Sequence, residues 1–129
     1  MKFIISLFIF LLAALPAVAL AQAGPTATLQ LDKFRRYAYV TFSDIKNVSR
    51  INYTLVYDTS SGQKGLPAGR QGLEGGFKNR SSRKSTRRQI LGTCSSGRCV
   101  YHKNIKNISL DATFTLRSGG TVNVTRALP

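Results

Sequence analysis

The residues of this chain that could do chemistry are two cysteines and one histidine that lie close together. Cys94 and Cys99 flank a four-residue segment that contains Gly97, and His102 follows three residues later. Glycine readily adopts the positive φ that a tight hairpin turn requires, and directly opposed hairpin residues lie within the distance that a disulfide spans. We therefore predict a Cys94–Cys99 disulfide that closes a hairpin.

A redox-active thiol pair and a zinc site are the two alternatives for these cysteines. Their spacing differs from the C-x-x-C of thiol oxidoreductases, and no helical pattern follows that would activate a thiol. A structural zinc site needs four ligands, and His102 is the single histidine of the chain. We favour the disulfide over both alternatives, and we expect no metal and no cofactor.

Acid–base catalysis is not expected from this sequence. His102 has no evident partner among the five acidic residues, and the chain contains no nucleophile elbow and no phosphate-cradling glycine loop. We interpret His102 as a strand residue beside the disulfide, and we predict that the protein is not an enzyme.

The chain is strongly basic, with 19 Lys and Arg against 5 Asp and Glu and a formal net charge of +14. Such a balance favours anionic partners, among them nucleic acid, acidic lipid and polyanionic envelope polymers. The densest cationic run comprises Arg80, Arg83, Lys84, Arg87 and Arg88. The run either binds a polyanion or forms a solvated cationic loop, and it contains no aromatic residue on which bases would stack.

Residues 1–21 have the layout of a secretory signal peptide. A basic start precedes an apolar run over residues 3–15, a proline interrupts that run, and small residues continue to Ala21. We predict cleavage after Ala21 and an exported domain that covers residues 22–129. The alternative is a retained membrane anchor, because an apolar stretch of about twenty residues can span a bilayer.

Apolar and polar residues alternate with a period of two through most of the remaining chain. The clearest stripes comprise Ala38, Val40 and Phe42, then Ile51, Tyr53, Leu55 and Tyr57, and finally Ile108, Leu110, Ala112, Phe114 and Leu116. This alternation predicts strands with one buried face. About seven short strands of this kind predict a single antiparallel β-sandwich.

Residues 59–88 lack the alternation and are rich in Gly, Ser, Lys and Arg, so we predict a long basic loop there. Within it, residues 66–71 (LPAGRQ) can be encoded by a DNA string that is its own reverse complement. We interpret residues 65–75 as a translated palindromic repeat that was inserted in frame. On this hypothesis the insertion enlarges a strand connection and carries no selected function.

Residues 91–102 (LGTCSSGRCVYH) fit the motif LGTCSSGxCxYH, and residues 52–58 (NYTLVYD) and 108–124 accompany it. In these segments the chain resembles small exported proteins of uncultivated small-genome bacteria. The resemblance implies a single sandwich of the immunoglobulin or fibronectin type III kind. It implies no catalytic or binding residue.

These observations together predict an exported or envelope-associated β-sandwich that acts by binding or as a structural module. They do not specify its partner. The alternative is a polyanion binder that takes extracellular DNA or an anionic envelope polymer through the cationic run within residues 80–88.

Overall fold

The computed structural model describes residues 24–60 and 69–129, and over these residues the chain is all-β without a helix. The predicted signal peptide lies outside the described residues. The strands are β1 (Thr26–Leu31), β2 (Tyr37–Ser43), β3 (Val48–Ser60), β4 (Gly69–Lys78), β5 (Lys84–Ile90), β6 (Gly92–Ser95), β7 (Arg98–Tyr101), β8 (Lys103–Leu116) and β9 (Thr121–Leu128).

The strands pair in antiparallel fashion into two larger sheets and one hairpin. The first sheet has the order β1-β2-β5, the second has the order β4-β3-β8-β9, and β6 pairs with β7 alone. The prediction of an antiparallel all-β fold is confirmed. Within the described residues, seven strands belong to the two larger sheets, and the β6–β7 hairpin adds two more.

The inner faces of the two larger sheets form one shared core. Phe42 of β2 lies against Tyr53 of β3, Phe77 of β4 and Phe114 of β8, with ring centroids 5.4, 5.7 and 5.9 Å away. One ring on the first sheet therefore contacts three strands of the second. The predicted apolar stripes are buried in this core, apart from Leu116, which is partly buried.

The segment predicted as one long loop contains two strands. Because β4 and β5 occupy half of it, the loop prediction for residues 59–88 is wrong over the residues of these strands. The interpreted insertion, residues 65–75, overlaps β4 from Gly69 onward and pairs there with β3. Residues 61–68 lie outside the described part of the chain.

The sequence of β4 hides its strand character because its inward positions are not uniformly apolar. Those positions hold Gln71, Leu73, Gly75 and Phe77, which pair with the buried stripe of β3. A Cβ added at Gly75 would overlap the ring of Tyr53, so that ring packs over the position where β4 has no side chain. At Gly75, main-chain pairing and the Tyr53 ring thus take the place of the apolar side chain that usually marks a strand in a sequence.

A buried asparagine joins the two sheets at the end of the molecule where β2 leads into β3. The amide nitrogen of Asn79 donates to the carbonyl oxygens of Ile45 at 2.7 Å, Ser82 at 3.0 Å and Val48 at 3.2 Å. Its own carbonyl oxygen accepts from the backbone N–H of Ser82 at 3.2 Å. The side chain is 6% exposed, so water does not replace these partners.

We expect Phe42→Ala to lower the free energy of unfolding by about 3–5 kcal/mol, because it removes the ring that contacts three strands of the facing sheet. Thr41→Ala is the matched control, since Thr41 lies next to it on the opposite face and its hydroxyl only meets that of Thr86 at 2.9 Å in an exposed position. The control should cost less than about 1 kcal/mol in urea unfolding. Equal losses would show that the assigned inner face of β2 is wrong.

We expect Asn79→Ala to cost about 1–3 kcal/mol or more, because it leaves buried carbonyl oxygens without a donor. Asn123→Ala, at an exposed position of β9, should stay within about 0.5 kcal/mol of the parent chain. Thermal and urea unfolding of both variants measure the difference. A neutral Asn79→Ala would mean that the network at this end adds nothing to stability.

Candidate functional site

An open cleft of about 840 Å³ lies at the end of the molecule opposite Asn79. Four parts of the chain meet there: the turn between β1 and β2 (residues 32–36, called the Phe34 turn below), the end of the β6–β7 hairpin, the start of β8, and Pro129 after β9. The cleft is lined by Lys33, Phe34, Arg35, Arg36, Tyr101, His102, Lys103, Asn104, Ile105, Lys106 and Pro129. These described lining residues include five lysines and arginines and no Asp or Glu.

The Phe34 turn is held rigid by one carboxylate. Asp32 accepts hydrogen bonds from the backbone N–H groups of Arg36 at 2.6 Å, Tyr37 at 2.7 Å and Phe34 at 3.2 Å. Desolvation acts to raise the pKa of Asp32, but these backbone donors together outweigh it, so the pKa lies below its ordinary value. The carboxylate of Asp32 thus binds the turn's own backbone, and Asp32 is not among the residues that line the cleft.

A second contact fixes the turn against β8. Arg35 has a φ of 52°, in the left-handed region, and its guanidinium donates to the carbonyl oxygen of Ile105 at 2.7 Å. The backbone of Leu91 also donates to the carbonyl oxygen of Arg36 at 2.8 Å, which ties the turn to the start of the hairpin. The position of Phe34 is therefore set by contacts to two other elements.

The cations of β8 are exposed because the strand is irregular at its start. Its register against β3 shifts twice, and Asn104 and Asn107 have φ values of 52° and 50°. The buried positions there are Ile105 and Ile108, three residues apart instead of two. Such bulges redirect side chains, and here they leave Lys106, like Lys103 before it, facing solvent beside the cleft.

Cations and aromatic rings alternate along the cleft and the adjoining sheet. Lys33 and Arg36 lie over the ring of Phe34 at 5.6 and 5.4 Å, and Arg36 also lies over Tyr101 at 5.0 Å. The hydroxyls of Tyr101 and Tyr37 are hydrogen-bonded at 2.9 Å. Arg88 lies over Tyr37 at 4.9 Å. We call this set the cation–aromatic series: Lys33, Phe34, Arg36, Tyr101, Tyr37 and Arg88.

The predicted cationic run is divided by the structure. Arg80 and Arg83 lie in the turn between β4 and β5, at the Asn79 end. Lys84 and Arg88 occupy one face of β5, whereas Arg87 points to the other and lies over the ring of Phe77 at 4.0 Å. Only Arg88 joins the cation–aromatic series, so the run does not form one continuous patch.

The cations that do come together at the cleft were not predicted from the sequence. The signal that could have found part of them is the group of cations around Phe34, placed between two predicted strands. Lys103 and Lys106 lie about seventy residues further along, and nothing in the sequence links them to that group. Tertiary structure alone brings the two sets of cations to one cleft.

The cysteines form the predicted disulfide. Cys94 and Cys99 lie directly opposite each other in the β6–β7 hairpin, with their Cα atoms 4.0 Å apart. The turn between them is shorter than the four-residue loop expected. Ser96 and Gly97 make it alone, with φ values of 50° and 77°, both positive as in a type I′ turn. The hairpin is exposed, and it leads directly into Tyr101 and His102 of the cleft.

His102 lies in the wall of the cleft and is bound to a tyrosine. Its Nδ1 atom is 2.7 Å from the hydroxyl of Tyr57, and its Nε2 atom is buried without a hydrogen-bond partner among the described residues. Burial lowers the pKa of His102 and raises the pKa of Tyr57 to about 12. Both groups are therefore held neutral near pH 7. His102 was predicted as a strand residue, but it lies between the end of β7 and the start of β8.

Comparison with known proteins returns nothing: no protein-family model, curated protein or solved structure matches this chain. Within residues 24–60 and 69–129 no helix has the length and hydropathy to cross a membrane, and no group of three His, Cys, Asp or Glu side chains is placed to hold a metal ion. The structure defines the class of protein as two packed antiparallel sheets with a cationic cleft at one end.

We expect the protein to lose stability as the pH falls below about 6.5. The pKa of His102 is lower in the folded chain than in the unfolded chain, so acid favours the unfolded state, which binds the proton more readily. The contribution is fully present above the unfolded pKa and is lost as the pH falls toward the folded one. Urea midpoints between about pH 7.5 and about pH 5.5 measure it.

His102→Gln is the control for that measurement, because the chain has no other histidine that titrates in this range. The variant should show a nearly flat midpoint over the same pH interval. A wild-type midpoint that is equally flat would contradict the assigned burial of His102.

Proposed function

We propose that this protein is an exported, non-catalytic β-sandwich that works by binding an anionic polymer in the cleft. The observation that carries the proposal is the gathering of Lys33, Arg35, Arg36, Lys103 and Lys106 around one concave surface. Cations in a cleft with low-dielectric walls focus the electrostatic potential, and a bound polyanion gains affinity by releasing its counterions. An anionic polymer is also the alternative partner predicted from the sequence. Here its binding is assigned to the cleft residues and not to the cationic run within residues 80–88.

The sandwich that we propose is of the fibronectin type III kind. The order of the sheets supports it, because a three-stranded sheet β1-β2-β5 faces a four-stranded sheet β4-β3-β8-β9. In such a sandwich the loops between strands cluster at the two ends. The loops at one end commonly bind partners. The β6–β7 hairpin is then an addition between the fifth and sixth strands of the sandwich.

Export is supported by the layout of residues 1–21 and is compatible with the disulfide. Disulfides persist in oxidising compartments outside the cytoplasm and are rare within it. Cys94 and Cys99 are exposed, so a reducing compartment would have access to the bond. A retained N-terminal anchor remains the alternative to cleavage and places the same domain on the outer face of a membrane.

The test compares two triple variants that remove the same charge from opposite ends of the molecule. The cleft variant carries Lys33→Ser, Lys103→Ser and Lys106→Ser. We expect it to bind heparin more weakly, and the slope of log affinity against log salt to fall by about 2–3, because three phosphate- or sulfate-binding cations are gone. Isothermal titration at several salt concentrations measures both quantities.

The matched control carries Arg80→Ser, Arg83→Ser and Lys84→Ser, which belong to the cationic run predicted from the sequence. It should retain the affinity and the salt slope of the parent chain. Equal weakening in both variants would show that heparin responds only to net charge. Weaker heparin binding in the control alone would show that heparin binds the run within residues 80–88.

A further inference from the structure

We infer that the cleft binds single-stranded nucleic acid, with a base stacked on Phe34 and the flanking phosphates on Lys33, Lys103 and Lys106. This inference rests on the proposed function and names the class of anionic polymer. It needs a surface that offers a flat apolar ring and cations together, because a strand of nucleic acid presents bases and phosphates in alternation.

Phe34 meets the first requirement. Its ring is 69% exposed, which makes it the one large hydrophobic side chain left exposed among the described residues. The three backbone hydrogen bonds to Asp32 hold the turn in place, so a ligand that covers the ring meets a surface that is already ordered. An ordered, exposed ring at the mouth of a cleft is the geometry on which bases stack.

The cation–aromatic series meets the second requirement. Lys33 and Arg36 lie within 5.6 Å of the Phe34 ring centroid, so a phosphate next to a stacked base has a cation close to the ring. The series continues through Arg36 over Tyr101 and through Arg88 over Tyr37. A sulfated polysaccharide gains its affinity mainly from the cations, whereas a single strand of nucleic acid also covers the ring of Phe34.

The exposed ring favours a single strand over a duplex. In a duplex the faces of the bases are stacked on one another, so Phe34 would meet only the backbone or the base edges. A single strand can turn a base out onto the ring. The volume of the cleft, about 840 Å³, lies within the range of about 300–1,000 Å³ typical of small-ligand sites, and the cleft is open to solvent.

The experiment uses fluorescence anisotropy with a labelled oligodeoxythymidine of about 16 nucleotides and the chain from residue 22 onward. We expect Phe34→Ala to weaken binding of this probe about 5- to 150-fold, the loss that corresponds to one stacked base. Phe34→Tyr keeps a flat ring and should restore most of the affinity. Because Phe34 is exposed, both variants should retain the unfolding midpoint of the parent chain.

Heparin and a duplex of the same length separate this inference from the proposed function. Phe34→Ala should leave heparin affinity within about twofold, since no cation is removed, and the duplex should bind more weakly than the single strand. Unchanged oligodeoxythymidine binding by Phe34→Ala, or equal affinity for duplex and single strand, overturns the inference. If the cleft triple variant still loses heparin binding in that case, the proposed function stands without it.

Discussion

The packing of Phe42 against three rings of the facing sheet is the contact on which the rest of the structure depends. It joins β2 to β3, β4 and β8, and so it fixes which face of each of these strands is turned inward. Once the inward faces are set, a strand's period of two determines every outward residue. The surface chemistry of the sheets is therefore a consequence of the core.

The same packing decides which loops meet. Because β2 begins at the end of the sandwich where β3 ends and β8 begins, the Phe34 turn and the start of β8 lie side by side. The contact between Arg35 and the carbonyl oxygen of Ile105 spans seventy residues of sequence and closes this neighbourhood. The cleft is thus a product of strand order, and its cations come from parts of the chain that share no local pattern.

Sequence analysis predicted the strands whose inward residues are uniformly apolar and missed those whose inward residues are not. β2, β3 and β8 show the alternation directly. In β4 the inward Gly75 leaves room for the Tyr53 ring, and in β5 the inward Arg87 and Gln89 lie at the sheet edge against Phe77 and the Tyr53 hydroxyl. The predicted cationic run is divided between two faces, since successive residues of β5 face opposite ways. Contacts of this kind join strands that are far apart in the sequence, so no local sequence pattern indicates them.

Asp32 stabilises the turn that carries Lys33 and Arg36, so a carboxylate lies beside a basic surface. A turn with four consecutive exposed residues requires an acceptor for its inward N–H groups, and Asp32 supplies it. The oxygens of the carboxylate accept from those N–H groups, and among the described residues Asp32 forms no salt bridge with Lys33 or Arg36. These two cations are left to the rings and to solvent, where a polyanion can reach them. The turn therefore keeps its stabilising carboxylate without an ion pair to the two cations beside the cleft.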